Sequence, residues 1–160
     1  MGLAFITGAA VLAACAEPMP EPAATPAPPD PRVVRTAIEA LGQQYKAYIL
    51  NGDSRGIASM FAQNGRFEVY GFPSLSGPKA IAAALGTTFQ SAKYKLWDVT
   101  YGDIGALSAD VAVAGGTTHQ ITELKGKELH GWYRWVAAYK KGADGQYRIE
   151  FLTAFPDSTK

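Results

Sequence analysis

The 160-residue chain has little of what several common kinds of protein need. It holds one cysteine, so no disulfide can form within it, and its net charge of +1 offers nucleic acid no basic surface. Its two histidines lie in no local pattern of metal ligands. It has neither a glycine-rich phosphate loop nor a nucleophile motif. We therefore expect no disulfide, nucleic-acid partner, metal or cofactor.

Long apolar runs are missing as well. The uncharged stretch before Cys15 is apolar, but it is shorter than the roughly 20 residues that span a bilayer. It has the length of the apolar region of a secretory signal. Its end, Leu12-Ala13-Ala14-Cys15, resembles the bacterial lipobox, although no Lys or Arg precedes the run. The resemblance implies a cleaved signal and a lipid on the Cys15 thiol; the alternative is an ordinary signal with an incidental cysteine.

The residues after the cysteine predict where the protein is held. Ala16 follows it, which in enteric-type bacteria implies sorting to the outer membrane, facing the periplasm, with the lipid bilayer as partner. Seven of the ten prolines lie between Pro18 and Pro31, which favours an extended spacer. We therefore divide the chain into a signal peptide (1–14), a lipidated tether (15–32), a domain (33–156) and a tail (157–160).

The domain begins with helical periodicity. Apolar residues recur at three- and four-residue steps from about Pro31 to Leu50, and Asn51-Gly52 ends this helix. Asp53 or Ser54 can cap a short second helix, and Pro78 suits the first turn of a third. The expected buried residues are Val34, Ile38, Leu41, Tyr45 and Tyr48 in the first helix, Ile57, Met60 and Phe61 in the second, and Ile81, Leu85 and Phe89 in the third.

Strands follow the helices. A turn at residues 63–65 leads into the first strand, and from about Tyr94 the periodicity changes to two. Helices come first and an antiparallel meander last, so the predicted fold class is α+β. The predicted strands are Arg66 to Tyr70, Lys95 to Asp103, Asp110 to Glu123, Glu128 to Lys141 and Gln146 to Ala154, with hairpin turns at Lys125-Gly126 and Gly142 to Gly145.

This order of elements resembles the nuclear transport factor two-like superfamily, and its SnoaL-like branch most closely. The resemblance covers about Val33 to Pro156, and its single motifs are short. It implies a strongly bent antiparallel sheet wrapped around three helices, forming a cone with a pocket inside. The motifs are NGD at 51–53, IASMFA at 57–62, FEV at 67–69, SGPKAI at 76–81 and YRIEF at 147–151.

The turn at Lys125-Gly126 sets the register of the two strands beside it. It places His119 opposite Trp132 and Ile121 opposite His130 on one sheet face. Because the outer sheet face of this family often forms a homodimer, we assign the more aromatic face to a dimer interface and the other face to the cone. The predicted pocket residues are Tyr45, Tyr70, Thr117, His119, His130, Trp132, Arg134 and Glu150, and the predicted dimer residues are Leu129, Tyr133, Trp135 and Tyr139.

Structural roles compete with functional ones for several of these residues. Glu150 has the parity to form an ion pair with Arg134, and His119 stacked on Trp132 would be packing. A bulge at Gly115-Gly116 would shift part of the register.

The family resemblance also allows a test for one kind of catalysis. Ketosteroid isomerase has this fold and uses a tyrosine donor, a protonated aspartic acid and an aspartate base. The resemblance puts Tyr45 at the tyrosine position, Trp132 at the second donor position and Val69 at the base position. Because valine cannot move a proton, we do not expect isomerase chemistry of that type, and Tyr45 is more simply explained as a core residue of the amphipathic helix.

The sequence therefore favours binding over catalysis. The leading interpretation is a lipid-anchored envelope protein whose domain binds a small apolar or amphipathic ligand or serves as a dimeric interaction module. The alternative is an isomerase, cyclase or hydrolase for a polycyclic or lipid-like substrate, with Tyr45, His119, His130 and Arg134 as its polar groups. A purely structural dimer is favoured if side chains fill the cone.

Overall fold

The computed structural model describes residues 29–159. Cys15, the predicted signal peptide and most of the proline-rich segment lie outside the described residues. The described residues form three helices and six strands. The helices are α1 (Pro31–Asn51), α2 (Ser54–Ser59) and α3 (Gly77–Ser91), and the strands are β1 (Phe61–Val69), β2 (Leu75–Ser76), β3 (Ala92–Ala106), β4 (Val111–Leu124), β5 (Lys127–Lys141) and β6 (Tyr147–Pro156).

All six strands join one curved sheet in the order β2-β1-β6-β5-β4-β3. Strands β3 to β6 form the predicted antiparallel meander, while β1 pairs with β6 in parallel. The helices pack on the concave face, with α1 against β3 and α3 against β1. This arrangement confirms the predicted α+β class. No helix in the described range is long and apolar enough to cross a membrane.

Helix α1 begins and ends where the sequence predicts. Pro31 opens it, and the Asp30 carboxylate accepts a hydrogen bond of 2.8 Å from the Arg32 amide. Gly52, at φ 64°, ends it and donates its amide hydrogen to the Ile49 carbonyl. Of the predicted buried stripe, Val34 and Ile38 are fully buried, and burying each aliphatic side chain stabilises the fold by about 1.5–3 kcal/mol.

The second helix is shorter than predicted, and the first strand is longer. The prediction that Met60 and Phe61 belong to the helix is wrong, because the helix ends before Met60 and Phe61 begins β1. Pairing with β6 sets this boundary: the Ile149 amide donates to the Met60 carbonyl at 2.8 Å. The predicted turn at residues 63–65 lies within β1, where the register shifts before Arg66.

The hairpin of β4 and β5 has the predicted turn at Lys125-Gly126. Both residues have positive φ, 50° and 76°, a combination that matches the twist of the flanking strands. The predicted register is confirmed, with His119 opposite Trp132. The bulge expected at Gly115-Gly116 is misplaced, because β4 pairs with β5 without a shift. The irregularity lies in β3, where residues 102–103 stand against one residue of β4.

Candidate ligand pocket

A cavity of about 140 Å³ lies between the helices and the concave face of the sheet. An apolar cavity of about 150 Å³ is large enough to bind benzene. The volume of this pocket therefore matches one ring better than a polycyclic molecule. Ten aromatic side chains contribute to the lining: Tyr45, Phe67, Tyr70, Phe72, Tyr94, Trp97, Tyr101, Tyr133, Trp135 and Tyr139.

Among the described residues, no Asp, Glu, Lys, Arg or His side chain lines this cavity. Its ionisable groups are tyrosines, and burial raises the pKa of Tyr45, Tyr94, Tyr101 and Tyr139 above the ordinary value of 10.0. These hydroxyl groups therefore stay protonated at neutral pH. They can donate hydrogen bonds, but they cannot serve as proton-accepting bases.

Aromatic contacts hold the wall that β3 contributes to the pocket. The Tyr94 ring meets Trp97 edge-on with centroids 5.6 Å apart, and Tyr45 of α1 lies 5.9 Å from Trp97. Such tilted and edge-on pairs each add roughly 0.5–1.5 kcal/mol beyond burial alone. The three rings thus fix one side of the cavity.

A glycine in α1 allows a fourth ring to join this wall. A Cβ placed on Gly42 would lie 1.5 Å from the Tyr101 hydroxyl oxygen. The Tyr101 ring in turn packs edge-on against Trp135, with centroids 5.5 Å apart. Glycine costs a helix interior about 1 kcal/mol relative to alanine. At Gly42 the absence of a side chain leaves room for Tyr101 of β3, and this close approach shapes the pocket.

Polar groups in the lining are few and uncharged. Thr118, which is buried, and Gln120 contribute a hydroxyl and an amide from β4. The buried indole N–H of Trp135 has no hydrogen-bond partner within residues 29–159. With the tyrosine hydroxyls, these groups give the pocket more donors than a purely apolar core has. A bound ligand can therefore place a hydrogen-bond acceptor here.

The pocket opens beside the loop that follows β1. Tyr70 and Phe72 stand at this opening with 72% and 42% of their surfaces exposed. Gly71 between them has φ 84° and open space around its Cα. The same loop borders a shallower groove that also includes Glu68 and Phe155. Tyr70, a predicted pocket residue, thus lies at the mouth, while Tyr45 lies inside.

The structure reverses the faces predicted for the β4–β5 hairpin. Tyr133, Trp135 and Tyr139, assigned to an outer dimer interface, line the pocket instead, and Leu129 on the same face is half exposed at the strand end. Burying apolar area gains about 25 cal/mol per Å², so the more aromatic face packs on the helices. The predicted homodimer therefore loses the surface that was assigned to it.

The opposite face carries the other predicted pocket residues out of the cone. Thr117, His119, His130, Trp132 and Arg134 do not line the cavity, and Trp132 is 39% exposed. His119 stacks on Trp132 with centroids 4.6 Å apart and planes 6° from parallel. This is the packing role considered for the pair. A charged guanidinium stays in water on this face, because burying it unpaired would cost several kcal/mol.

Arg134 pairs with Asp157 rather than with the predicted Glu150. Its Nε lies 3.3 Å from the Asp157 carboxylate, which is nearly buried. Glu150 falls at a register shift between β5 and β6, so its parity along the strand changes. Hydrogen bonds from Thr159, and then the Arg134 charge, hold the pKa of Asp157 below its usual range.

The residues of β3 are the part of the site that the sequence prediction missed. Register shifts at Lys95 and at residues 102–103 interrupt the alternation of this strand. Tyr94 and Trp97 consequently share a face although an odd number of positions separates them. A strict period-two pattern cannot place both on one face. The aromatic residues of β3 were the one feature of the sequence that pointed to this part of the site, and they did not indicate which face of the sheet they occupy.

The described part of the chain holds no group of three His, Cys, Asp or Glu side chains arranged to bind a metal. The candidate site is therefore the aromatic pocket, and its chemistry is that of uncharged donors among rings.

No protein-family model matches the chain, and no curated protein matches it. Solved structures do match. One is a ketosteroid isomerase-like protein from Erwinia carotovora, with a TM-score of 0.71 and 18% identity over 77% of this chain and 95% of that one. Another is a nuclear transport factor two-like protein with a cystatin-like fold from Novosphingobium aromaticivorans, with a TM-score of 0.65 and 18% identity over 81% of this chain and 85% of that one. A hexachlorocyclohexane dehydrochlorinase from Novosphingobium barchaimii matches with a TM-score of 0.68 and 16% identity over 77% of this chain and 86% of that one.

These matches agree in architecture while their names describe different proteins. Identities of 16–18% establish a shared fold and no shared activity. The architecture shared with them is that of three helices packed on a curved sheet. The described residues therefore have the nuclear transport factor two-like fold.

Proposed function

We propose that the domain binds a small, uncharged, mostly apolar molecule in its aromatic pocket without acid–base turnover. The observation that carries this proposal is a lining with no charged side chain among the described residues. A carboxylate or ammonium group placed there would lose its hydration and find no counter-ion, at a cost of several kcal/mol. A neutral ring loses little hydration and gains contact with aromatic faces and edges.

The enzyme alternative depended on four polar residues, of which three lie outside the cavity. His119, His130 and Arg134 are on the outer sheet face, where they cannot reach a molecule in the pocket. Tyr45 does line it, but burial raises its pKa far from neutrality. Isomerisation and elimination need a group that takes up a proton near the working pH. Val69, at the base position, lines the pocket and supplies none.

The cavity also suggests the shape of the ligand. One ring fills the volume of about 140 Å³, and a longer ligand extends past Tyr70 and Phe72 into the groove outside. The tyrosine, tryptophan and threonine donors favour a ligand that carries an acceptor such as a carbonyl or ether oxygen. This retains the small apolar or amphipathic class predicted from sequence and disfavours a fused polycyclic molecule.

Native mass spectrometry of the protein purified without added ligand tests this function. We expect a retained neutral molecule that solvent extraction identifies as ring-containing. Ala154→Phe, which adds bulk inside the lining, should release it, whereas Ala138→Phe, which adds the same bulk at a residue outside that lining, should not. A retained ion, or equal retention by both variants, would contradict the proposal.

We further propose that acylated Cys15 holds this domain at the bacterial outer membrane, facing the periplasm. The support is the sequence Leu12-Ala13-Ala14-Cys15 and the proline-rich segment after it. More than one acyl chain is needed for stable anchoring, and a triacylated cysteine meets that condition. Cells fed an alkyne-tagged fatty acid should label the wild-type chain in the outer-membrane fraction and leave Cys15→Ser unlabelled. An unlabelled wild-type chain would rule out the anchor.

A further inference from the structure

Both histidines of the chain meet on the outer face of the β4–β5 hairpin. His119 Nε2 and His130 Nδ1 lie 3.4 Å apart, although the two residues are 11 positions apart in sequence. The hairpin register makes them diagonal neighbours, since His119 stands opposite Trp132 and His130 opposite Ile121. Trp132 stacks on His119, and its ring centroid is 5.9 Å from that of His130. His130 and Trp132 are exposed, so solvent reaches the pair.

The separation of the two nitrogens suits one tetrahedral cation. Zinc–nitrogen bonds measure about 2.0–2.1 Å, so two nitrogen ligands of a tetrahedral zinc ion lie about 3.3 Å apart. Imidazole is a ligand for zinc, copper and nickel, whereas magnesium and calcium prefer oxygen. Both nitrogens present lone pairs when His119 carries its proton on Nδ1 and His130 carries its proton on Nε2.

We propose that His119 and His130 form a two-imidazole site for a zinc-like divalent cation, separate from the ligand pocket. Trp132 acts as a positioning residue, because its stacking fixes the plane of the His119 ring. Asp98, the β3 partner of His119, forms an exposed ion pair with Lys46 at 3.0 Å and is not part of the proposed site. Water completes the coordination, so the site is open on its solvent side.

The test is zinc titration of the purified protein by calorimetry. The chain has no other histidine, so imidazole-dependent binding must use this pair. We expect one zinc ion per chain, no heat from magnesium, and affinity at least about tenfold weaker in His119→Gln and in His130→Gln. Any binding at Cys15 would survive both variants and is thereby separated. Both side chains are at least partly exposed, and circular dichroism checks that each variant folds.

A matched control and a spectroscopic readout distinguish this site from nonspecific binding. Val136→Gln places the same amide side chain at an exposed position of β5, opposite Gly115 and away from the pair, so it should retain the wild-type zinc affinity. In nitrogen–proton spectra the two imidazole signals should both move on zinc addition. Zinc binding that both histidine variants retain, or a wild-type chain whose imidazole signals do not respond to zinc, would overturn the proposal and leave the contact as a hydrogen bond.

Discussion

We expect four pocket tyrosines, Tyr45, Tyr94, Tyr101 and Tyr139, to limit the pH range over which the folded domain is stable. Burial raises their pKa because an ionised phenol would lose its hydration inside the cavity. The unfolded chain has no such restriction. The tyrosine hydroxyl groups that act as neutral donors at pH 7 therefore make the free energy of unfolding depend on pH.

The sign of this linkage predicts loss of stability in base. Tyr45, Tyr94, Tyr101 and Tyr139 have a higher pKa when folded, so the unfolded chain releases these protons first, from about pH 10. The stabilisation is complete below that pH and falls as the pH rises above it. Urea unfolding at roughly pH 8, 10 and 11, with tyrosinate absorbance, measures the effect. Ionisation of all eight tyrosines near pH 10 in a folded protein would be inconsistent with it.

Gly42 gives a second prediction at the residue scale. Gly42→Ala gains about 1 kcal/mol of helix propensity, but its methyl group collides with the Tyr101 hydroxyl, and overpacking costs about 1–3 kcal/mol. We expect a net loss in the free energy of unfolding. Tyr101→Phe removes the hydroxyl oxygen but leaves the ring carbon Cζ 2.9 Å from the new methyl group. Adding Gly42→Ala to Tyr101→Phe should therefore cost less free energy of unfolding than adding it to the wild type. Greater stability of Gly42→Ala than of the wild type would show that Tyr101 is placed elsewhere.

At the scale of elements, boundaries set by local chemistry were predictable. The glycine after Asn51 ends α1, Pro78 lies in the first turn of α3, and Lys125-Gly126 forms the hairpin turn. Boundaries set by distant partners were not. Phe61 begins β1 because β6 pairs with that segment from 88 residues further on, at Ile149. Local propensity carries no information on such a partner.

The cap of α2 offers a test at this scale. The sequence left Asp53 and Ser54 as alternatives, and in the structure the Asp53 carboxylate accepts a hydrogen bond of 2.8 Å from the Gly56 amide. Asp53→Ala should lower the free energy of unfolding by about 1 kcal/mol, which is roughly 3–6 °C in Tm for a domain of this size. Ser54→Ala, one residue along, is the control and should change Tm little. Equal losses in the two variants would refute the assignment.

At the scale of the whole molecule, the sequence predicted which residues of β4 and β5 share a face but not which face is inside. The turn at Lys125-Gly126 gave the correct register, and the period-two pattern of the two strands is the same for either orientation of the sheet. The prediction placed the aromatic face outside because the outer sheet face of this family often forms a homodimer. In the structure the aromatic face is inside, because burying Trp135 and Tyr139 gains free energy and the opposite face leaves Arg134 in water.

This orientation changes what the domain can do. A cone lined by His119, His130 and Arg134 would have offered charges to a substrate. The cone that forms offers rings and protonated hydroxyl groups, with Tyr45 the one predicted residue in its interior. The histidines remain available together on the other face of the sheet.

Fluorescence titration with two probes of matched shape tests whether the pocket binds a neutral ring in preference to a charged one. Of the three tryptophans, Trp97 and Trp135 line the pocket and Trp132 does not, so a Trp132→Phe protein reports on the pocket alone. Acetophenone and benzoate match in outline and differ in charge. We expect a saturable change in fluorescence with acetophenone and at least about tenfold weaker binding of benzoate. Equal or tighter binding of benzoate, or no saturable response to acetophenone, would contradict it.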